Sequence, residues 1–238
     1  MRSFLGLKRS FADKIPLQHK ETPPMPKYLT DTYWWAYIHP NAVWFFERQW
    51  IVNLILWGNF YKLRDLALRE FKEPSKLLQV ACVYGNFTQE LAKTQPKSEI
   101  HVADVAQIQL ANLKNKTADL KNVTLHHQDA TKLEFTDSSF DNAIVFFLLH
   151  EMPEEVRKKS VQEAIRVVKP GGKVVFVDYH SPSRLNPLRY VMIPILKYLE
   201  PFALDLWKAE IRQWLPSVTS INKQTYFGGL YQKVIVIK

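Results

Sequence analysis

The chain has 238 residues, 47% hydrophobic and 23% charged, enough for a buried α/β core and unlike a disordered or fibrous protein. Its formal net charge of +9 suits an anionic membrane surface or an anionic ligand. Nucleic acid is the rival partner and is disfavoured, because the lysines and arginines are scattered and no helix-turn-helix, zinc-finger or RNP pattern occurs.

The single cysteine, Cys82, excludes an intramolecular disulfide and points to a reducing compartment. No segment reaches the ~18–20 uninterrupted apolar residues of a membrane-spanning helix. The nearest, 42–57, is broken by Glu47, Arg48, Gln49 and Asn53. The first residues are basic and lack the apolar run of a secretory signal, so they read as a short mitochondrial presequence or as a basic tail.

In chain order, 1–27 is expected to be a flexible basic leader, followed by one domain over 28–238. Residues 28–73 repeat aromatic and aliphatic side chains at helical spacing, and five of the seven tryptophans fall between Trp34 and Trp57. The default reading is a packed helical cap; tryptophan also favours membrane interfaces. Strands then alternate with helices: strand 76–82, helix 88–93, strand 99–104, helix 107–116, strand 123–128, strand 142–147, helix 154–168 and strand 173–178. Lys169-Pro170-Gly171-Gly172 is expected to stop the last helix. Residues 182–215 form an insertion of two amphipathic helices, and two strands, 223–227 and 232–237, close the chain. This order predicts a doubly wound, mostly parallel, seven-stranded α/β sheet of the methyltransferase type.

In that fold the first strand runs into a loop reading acid-x-Gly-x-Gly-x-Gly, where backbone approaches a ligand closely and takes φ > 0. Here the acid is Gln79, the first two glycines are Ala81 and Val83, and only Gly85 survives, beside Tyr84. Either the fold no longer binds S-adenosylmethionine (SAM), or it binds it for different chemistry. Thr88 is expected to cap the following helix, and backbone N–H groups of 83–86 are placed to receive a carboxylate.

Ligands of such sheets lie beyond the carboxyl ends of the strands. Asp104 ends the second strand 19 residues after Gly85, where an acid commonly binds ribose hydroxyls. Asp129 follows the third strand, where it can accept from an adenine amine. Each is alternatively a turn acid. His150-Glu151 and Asp178-Tyr179-His180 follow the fourth and fifth strands and can converge beside Tyr84. Two imidazoles and two carboxylates suit a divalent ion such as Mn²⁺. They equally suit a His–carboxylate pair acting as a base or tying loops together.

Six segments, Tyr33-Trp34-Trp35-Ala36-Tyr37-Ile38-His39-Pro40, Phe46-Glu47-Arg48-Gln49-Trp50, 53–59, Val80-Ala81-Cys82-Val83-Tyr84-Gly85, 146–151 and Val177-Asp178-Tyr179-His180, resemble the RquA family of rhodoquinone biosynthesis proteins. The resemblance covers 28–238. One departure is Asn86, where that family tends to an acid.

The resemblance implies an enzyme that uses SAM as an amino donor, replacing a ring methoxy group of ubiquinone with an amine, and that depends on a divalent metal, preferably Mn²⁺. It implies a peripheral location on an inner membrane, at a bacterial cytoplasmic or mitochondrial matrix face. Tyr84, His150 and Glu151 are then the expected catalytic residues, and Val83, Gly85, Asp104 and Asp129 the cofactor contacts. His150, Glu151, Asp178 and His180 are the expected metal ligands, by position. Two alternatives stand beside this reading: a SAM-dependent quinone methyltransferase, and a non-catalytic binding protein of the same fold.

Overall fold

A computed structural model describes residues 23–218 and 220–238. The expected leader falls largely on residues 1–22, outside that range. The cap comprises α1 (Lys27–Thr32), a π-helical turn (Trp34–Ile38), α2 (Pro40–Phe46), α3 (Gln49–Ile55) and α4 (Phe60–Leu68). Pro40 sits in the first turn of α2, where a missing N–H costs nothing and φ is already helical.

The sheet holds β1 (Lys76–Val80), β2 (Glu99–Asp104), β3 (Val123–His127), β4 (Phe140–Phe146), β5 (Val168–Tyr179), β6 (Ser220–Tyr226) and β7 (Tyr231–Ile237). Their order is β3-β2-β1-β4-β5-β7-β6. The first five strands are parallel, and β7 returns antiparallel between β5 and β6. The order reverses between β1 and β4, and a crevice for ligands opens there.

Strand residues alternate between two cores, as the two-residue period of a strand requires. Leu77, Ile144, Phe146, Val175 and Val177 face one side, with α4, α5 (Phe87–Thr94) and α6 (Gln107–Lys116). Leu78, Val80, Val145, Val174 and Phe176 face the other, with α7 (Glu154–Arg166). The insertion forms α8 (Pro187–Leu199), α9 (Pro201–Leu206) and a short 3₁₀ turn, Ile211–Trp214.

Three local expectations change. Lys169-Pro170-Gly171-Gly172 lies within β5, because the register shift between Phe140 and Asn142 absorbs the extra residues and Gly171 takes φ +77°. Thr88 lies inside α5 rather than capping it, and its hydroxyl donates to Gln79 Oε1 at 2.9 Å. Cys82 falls beyond the end of β1, in the pocket wall, and burial pushes its thiol pKa up, which disfavours a reactive thiolate.

The cap and the sheet meet through Phe146, whose ring lies 4.3 Å from that of Phe87 and 6.1 Å from that of Phe60. Phe146→Ala should therefore destabilise the protein by about 3–5 kcal/mol. Urea unfolding checks this, and an unchanged midpoint would show that the cap does not rest on this ring.

Candidate functional site

At the switch point, β1 ends and the chain turns at Ala81, whose φ is +70°. The first glycine of the expected loop is absent, yet its left-handed backbone remains and an alanine carries it, at a cost of roughly 1–2 kcal/mol. Gly85 has φ +76°, and a Cβ there would lie 2.7 Å from Gln49 Oε1. Its left-handed backbone favours glycine, and any larger residue would also displace the end of the Gln49 side chain.

The crowding comes from the cap. Glu47 Oε1 accepts the Gly85 N–H at 3.1 Å, and Gln49 Oε1 accepts the Asn86 N–H at 2.8 Å. The Glu47 carboxylate also pairs with Lys116 Nζ (2.5 Å) and accepts from Asn112 Nδ2 (2.7 Å). The amides expected to receive a ligand carboxylate are thus met by the protein's own side chains. Tyr84 completes the closure. Its ring stacks on Tyr37 at 5.6 Å, its hydroxyl donates to the Ala36 carbonyl at 2.6 Å, and Gln109 Nε2 donates to both Tyr84 Oη and the Tyr37 carbonyl.

Beneath this cover lies a cavity of about 50 Å³ whose wall includes Tyr28, Tyr37, Tyr84, Asp104, Asp129 and Glu151. Small-molecule sites usually span ~300–1,000 Å³, so the cap must lift for a ligand of cofactor size to enter. Asp104 accepts from the Cys82 N–H (2.6 Å) and the Ala106 N–H (2.7 Å), while burial raises its pKa. Asp129 Oδ1 accepts from the Thr131 N–H and hydroxyl. Carboxylates thus stand at the ends of β2 and β3, with Ala81, Ala103, Ala106 and Leu148 in the same pocket wall.

Of the other expected site residues, Val83 packs against the core, and Gly85 meets the cap. Behind Glu151, His150 is buried between carboxylates. Its Nδ1 lies 2.9 Å from Asp178 Oδ1, and its Nε2 lies 3.9 Å from both Glu151 and Glu200. Burial pulls the His150 pKa down, but Asp178, with help from Glu200 and Glu151, overcomes this and lifts it to about 9. Burial raises Glu151 to about 8, with Glu200 adding and His150 opposing, so this carboxyl exchanges a proton near neutrality.

Asp178 is a positioning group. Its oxygens accept from the Leu149 N–H (2.8 Å) and the Tyr179 N–H (2.7 Å) as well as facing His150. His180 stands apart, with Nδ1 2.7 Å from the Gly229 carbonyl in the β6–β7 turn. Among the described residues, no group of three or more His, Cys, Asp or Glu side chains is arranged to hold a metal ion. The set His150, Glu151, Asp178 and His180 therefore does not fit Mn²⁺ in this conformation.

Several site residues escape a sequence reading. Tyr37, Glu47 and Gln49 read as cap residues, because nothing local says that they reach the loop after β1. Arg157 reads as one charge on an amphipathic helix, yet it is fully buried. It donates to the Leu149, Met152 and Phe202 carbonyls and so holds the His150 turn against α9. Glu200 carried a signal that went unused: it is the one acid between Ser181 and Leu204 in an apolar, basic insertion.

Comparison with known proteins agrees with the fold. A family model described as "Methyltransferase domain" matches residues 77–172. The chain is 32% identical over 160 residues to the demethylmenaquinone methyltransferase of Staphylococcus aureus strains JH9 and Newman, covering 66% of this chain and 64% of the relative's length. Among solved structures, an O-methyltransferase family protein from Burkholderia thailandensis superposes with a TM-score of 0.62 at 12% identity, over 85% of this chain and 61% of that one. A SAM-dependent methyltransferase from Aquifex aeolicus gives a TM-score of 0.53 at 18% identity, over 83% and 97%. The fold is that of SAM-dependent methyltransferases.

Three outcomes follow. Ala81→Gly should stabilise the protein by about 1 kcal/mol in urea unfolding, since glycine takes this backbone without strain. His150 and Glu151 both bind a proton more tightly in the folded state. Stability should therefore fall as pH rises, from 4.5 through about 8 for Glu151 and from 6.5 through about 9 for His150. In Asp178→Asn, NMR of the His150 ring should show its titration moved from near pH 9 to below that of free histidine. An unmoved titration would deny Asp178 this role.

Proposed function

We propose that the chain is a SAM-dependent transferase that modifies the ring of a prenylated quinone drawn from a membrane. The observation that carries this reading is the pocket at the switch point. Asp104 and Asp129 line its nucleoside end and Glu151, a carboxyl poised near neutrality, lines the same wall. SAM supplies an activated group for transfer. Asp104 holds the ribose, Asp129 faces the adenine edge, and Glu151, when ionised, accepts the proton that a ring C–H loses in methyl transfer or that the amine loses in amine transfer, with His150 and Asp178 fixing its turn. The cap, once closed, keeps water from the reacting groups.

The group transferred has two readings. Methyl transfer comes first, because the curated relatives are demethylmenaquinone methyltransferases of which the chain spans 64%. Amine transfer, which turns ubiquinone into rhodoquinone with loss of a methoxy group, is favoured by a separate observation. The loop amides at Gly85 and Asn86 already bond Glu47 and Gln49, and Tyr84 beside them stacks on Tyr37 of the cap. A donor whose carboxylate has no seat on those amides must place its methionine moiety differently, which suits delivery of the α-amine. The Mn²⁺ implied by the RquA resemblance has no fitting ligand set among the described residues, so no step is assigned to it.

The test uses purified protein, ubiquinone and, separately, its ring-demethylated analogue in detergent, and SAM labelled with ¹⁵N at the amine and ¹³C at the methyl, with and without chelator. Mass gain from ¹³C without ¹⁵N establishes methyl transfer, and ¹⁵N in the quinone establishes amine transfer. Loss of either with chelator would show a metal site that this conformation does not display. No mass change with ubiquinone or a demethylated analogue would overturn the quinone reading. Asp104→Ala should weaken SAM binding by calorimetry at least roughly tenfold, as loss of charge-assisted hydrogen bonds predicts.

A further inference from the structure

The exposed apolar side chains are gathered in two places. On the cap, Trp44, Trp50 and Leu54 are 65%, 62% and 67% exposed, joined by Ile55 and Trp57. On the insertion, Leu185 and Tyr198 are 94% and 81% exposed, joined by Tyr190 and Leu199. Both α3 and α8 also have a buried apolar face: Ile51 and Val52 on α3, Met192 and Leu196 on α8. A helix that is apolar on both sides is normally buried on both sides. Val52 and Leu56 share one core cluster with Met192 and Leu196, so the two elements are rooted in the same layer.

The charges decide what covers them. The one acid between Pro40 and Trp57 is Glu47, and it turns inward to Lys116, Asn112 and Gly85. Helix α8 contains Arg189 and Lys197 and no acid, and Glu200 just beyond it turns inward beside His150. Outward, cations stand among the aromatics: Arg48 lies 3.6 Å over the Trp44 ring, and Arg184 and Lys197 are exposed. Aromatic and aliphatic side chains with cations alone are the composition of a surface that enters the headgroup layer of an anionic membrane.

No helix among the described residues is long and apolar enough to cross a bilayer. We propose that the outer faces of α2–α3 and α8 form one bilayer-binding surface that seats the protein on anionic phospholipid. Trp44, Trp50, Leu54, Leu185 and Tyr198 enter the interface, and Arg48, Arg184 and Lys197 meet lipid phosphates. Inward, the same elements carry Glu47 onto the loop after β1 and lead into Glu200 beside His150. The surface thus places the mouth of the site against the membrane. That purpose rests on the quinone reading; the binding itself does not.

The full chain is sedimented with vesicles of phosphatidylcholine alone and of phosphatidylcholine mixed with phosphatidylglycerol. Wild type should partition to the mixed vesicles and release with salt. Trp50→Ser/Leu54→Ser and Leu185→Ser/Tyr198→Ser should each weaken partition by at least about tenfold, because several exposed apolar side chains leave the interface. Both variants should keep the wild-type melting temperature and their turnover of a short-tailed soluble quinone. Wild type staying in solution with both vesicles, or variants binding as it does, overturns the proposal. So does a concentration-dependent dimer, abolished by the same substitutions, in place of vesicle binding. Vesicle binding with no quinone turnover leaves the surface standing and removes the quinone reading.

Discussion

The Glu47 carboxylate is the contact on which the functional end of the molecule depends. It comes from the break between α2 and α3, and reaches the loop amide of Gly85 and the α6 side chains of Lys116 and Asn112. Those partners replace the water its oxygens lose on burial, which a largely buried carboxylate requires. Three consequences follow from this one placement. The cap is held over the switch point, the anion seat of the loop is filled from within the chain, and the outer face of the cap is left without an acid.

A cap held this way must also be able to leave, because the enclosed space is far too small for a nucleoside. Its attachments are suited to that. At the loop after β1 they are hydrogen bonds and an aromatic stack between Tyr37 and Tyr84, while Val52 and Leu56 at α3 join the main core. The firmer apolar contact lies further along, at α4, where Phe60, Leu63 and Ala67 join the main core. The insertion is more firmly tied, since the Arg157 guanidinium joins α7, the His150 turn and the start of α9 through three carbonyls.

Around His150 the balance is electrostatic. One imidazole among Asp178, Glu151 and Glu200 takes a proton readily, and burial keeps Glu151 from giving its own up early. Such a cluster holds protons through the neutral range, which suits acid–base chemistry. Asp178 spends both oxygens on fixing the turn, leaving Glu151 as the acid that faces the pocket.

The sequence by itself determined the sheet: runs such as 77–80, 142–146 and 174–178 alternate with helical periods, and backbone hydrogen bonding with two-sided burial permits few arrangements of that pattern. It also located Asp104, Asp129, Tyr84, His150 and Glu151, since positions at strand ends follow from strand boundaries. Tertiary structure decided what no local pattern encodes. Glu47 lies 38 residues from Gly85, and Glu200 lies 50 residues from His150. Their contacts exist only because α2–α3 and α9 fold back over the strand ends. His180 went the other way: adjacent in sequence to the cluster, it is drawn by the Gly229 carbonyl to the β6–β7 turn. Two residues apart on a strand, Asp178 and His180 would share a face, but β5 ends at Tyr179 and His180 is held by the Leu230 and Gly229 carbonyls instead.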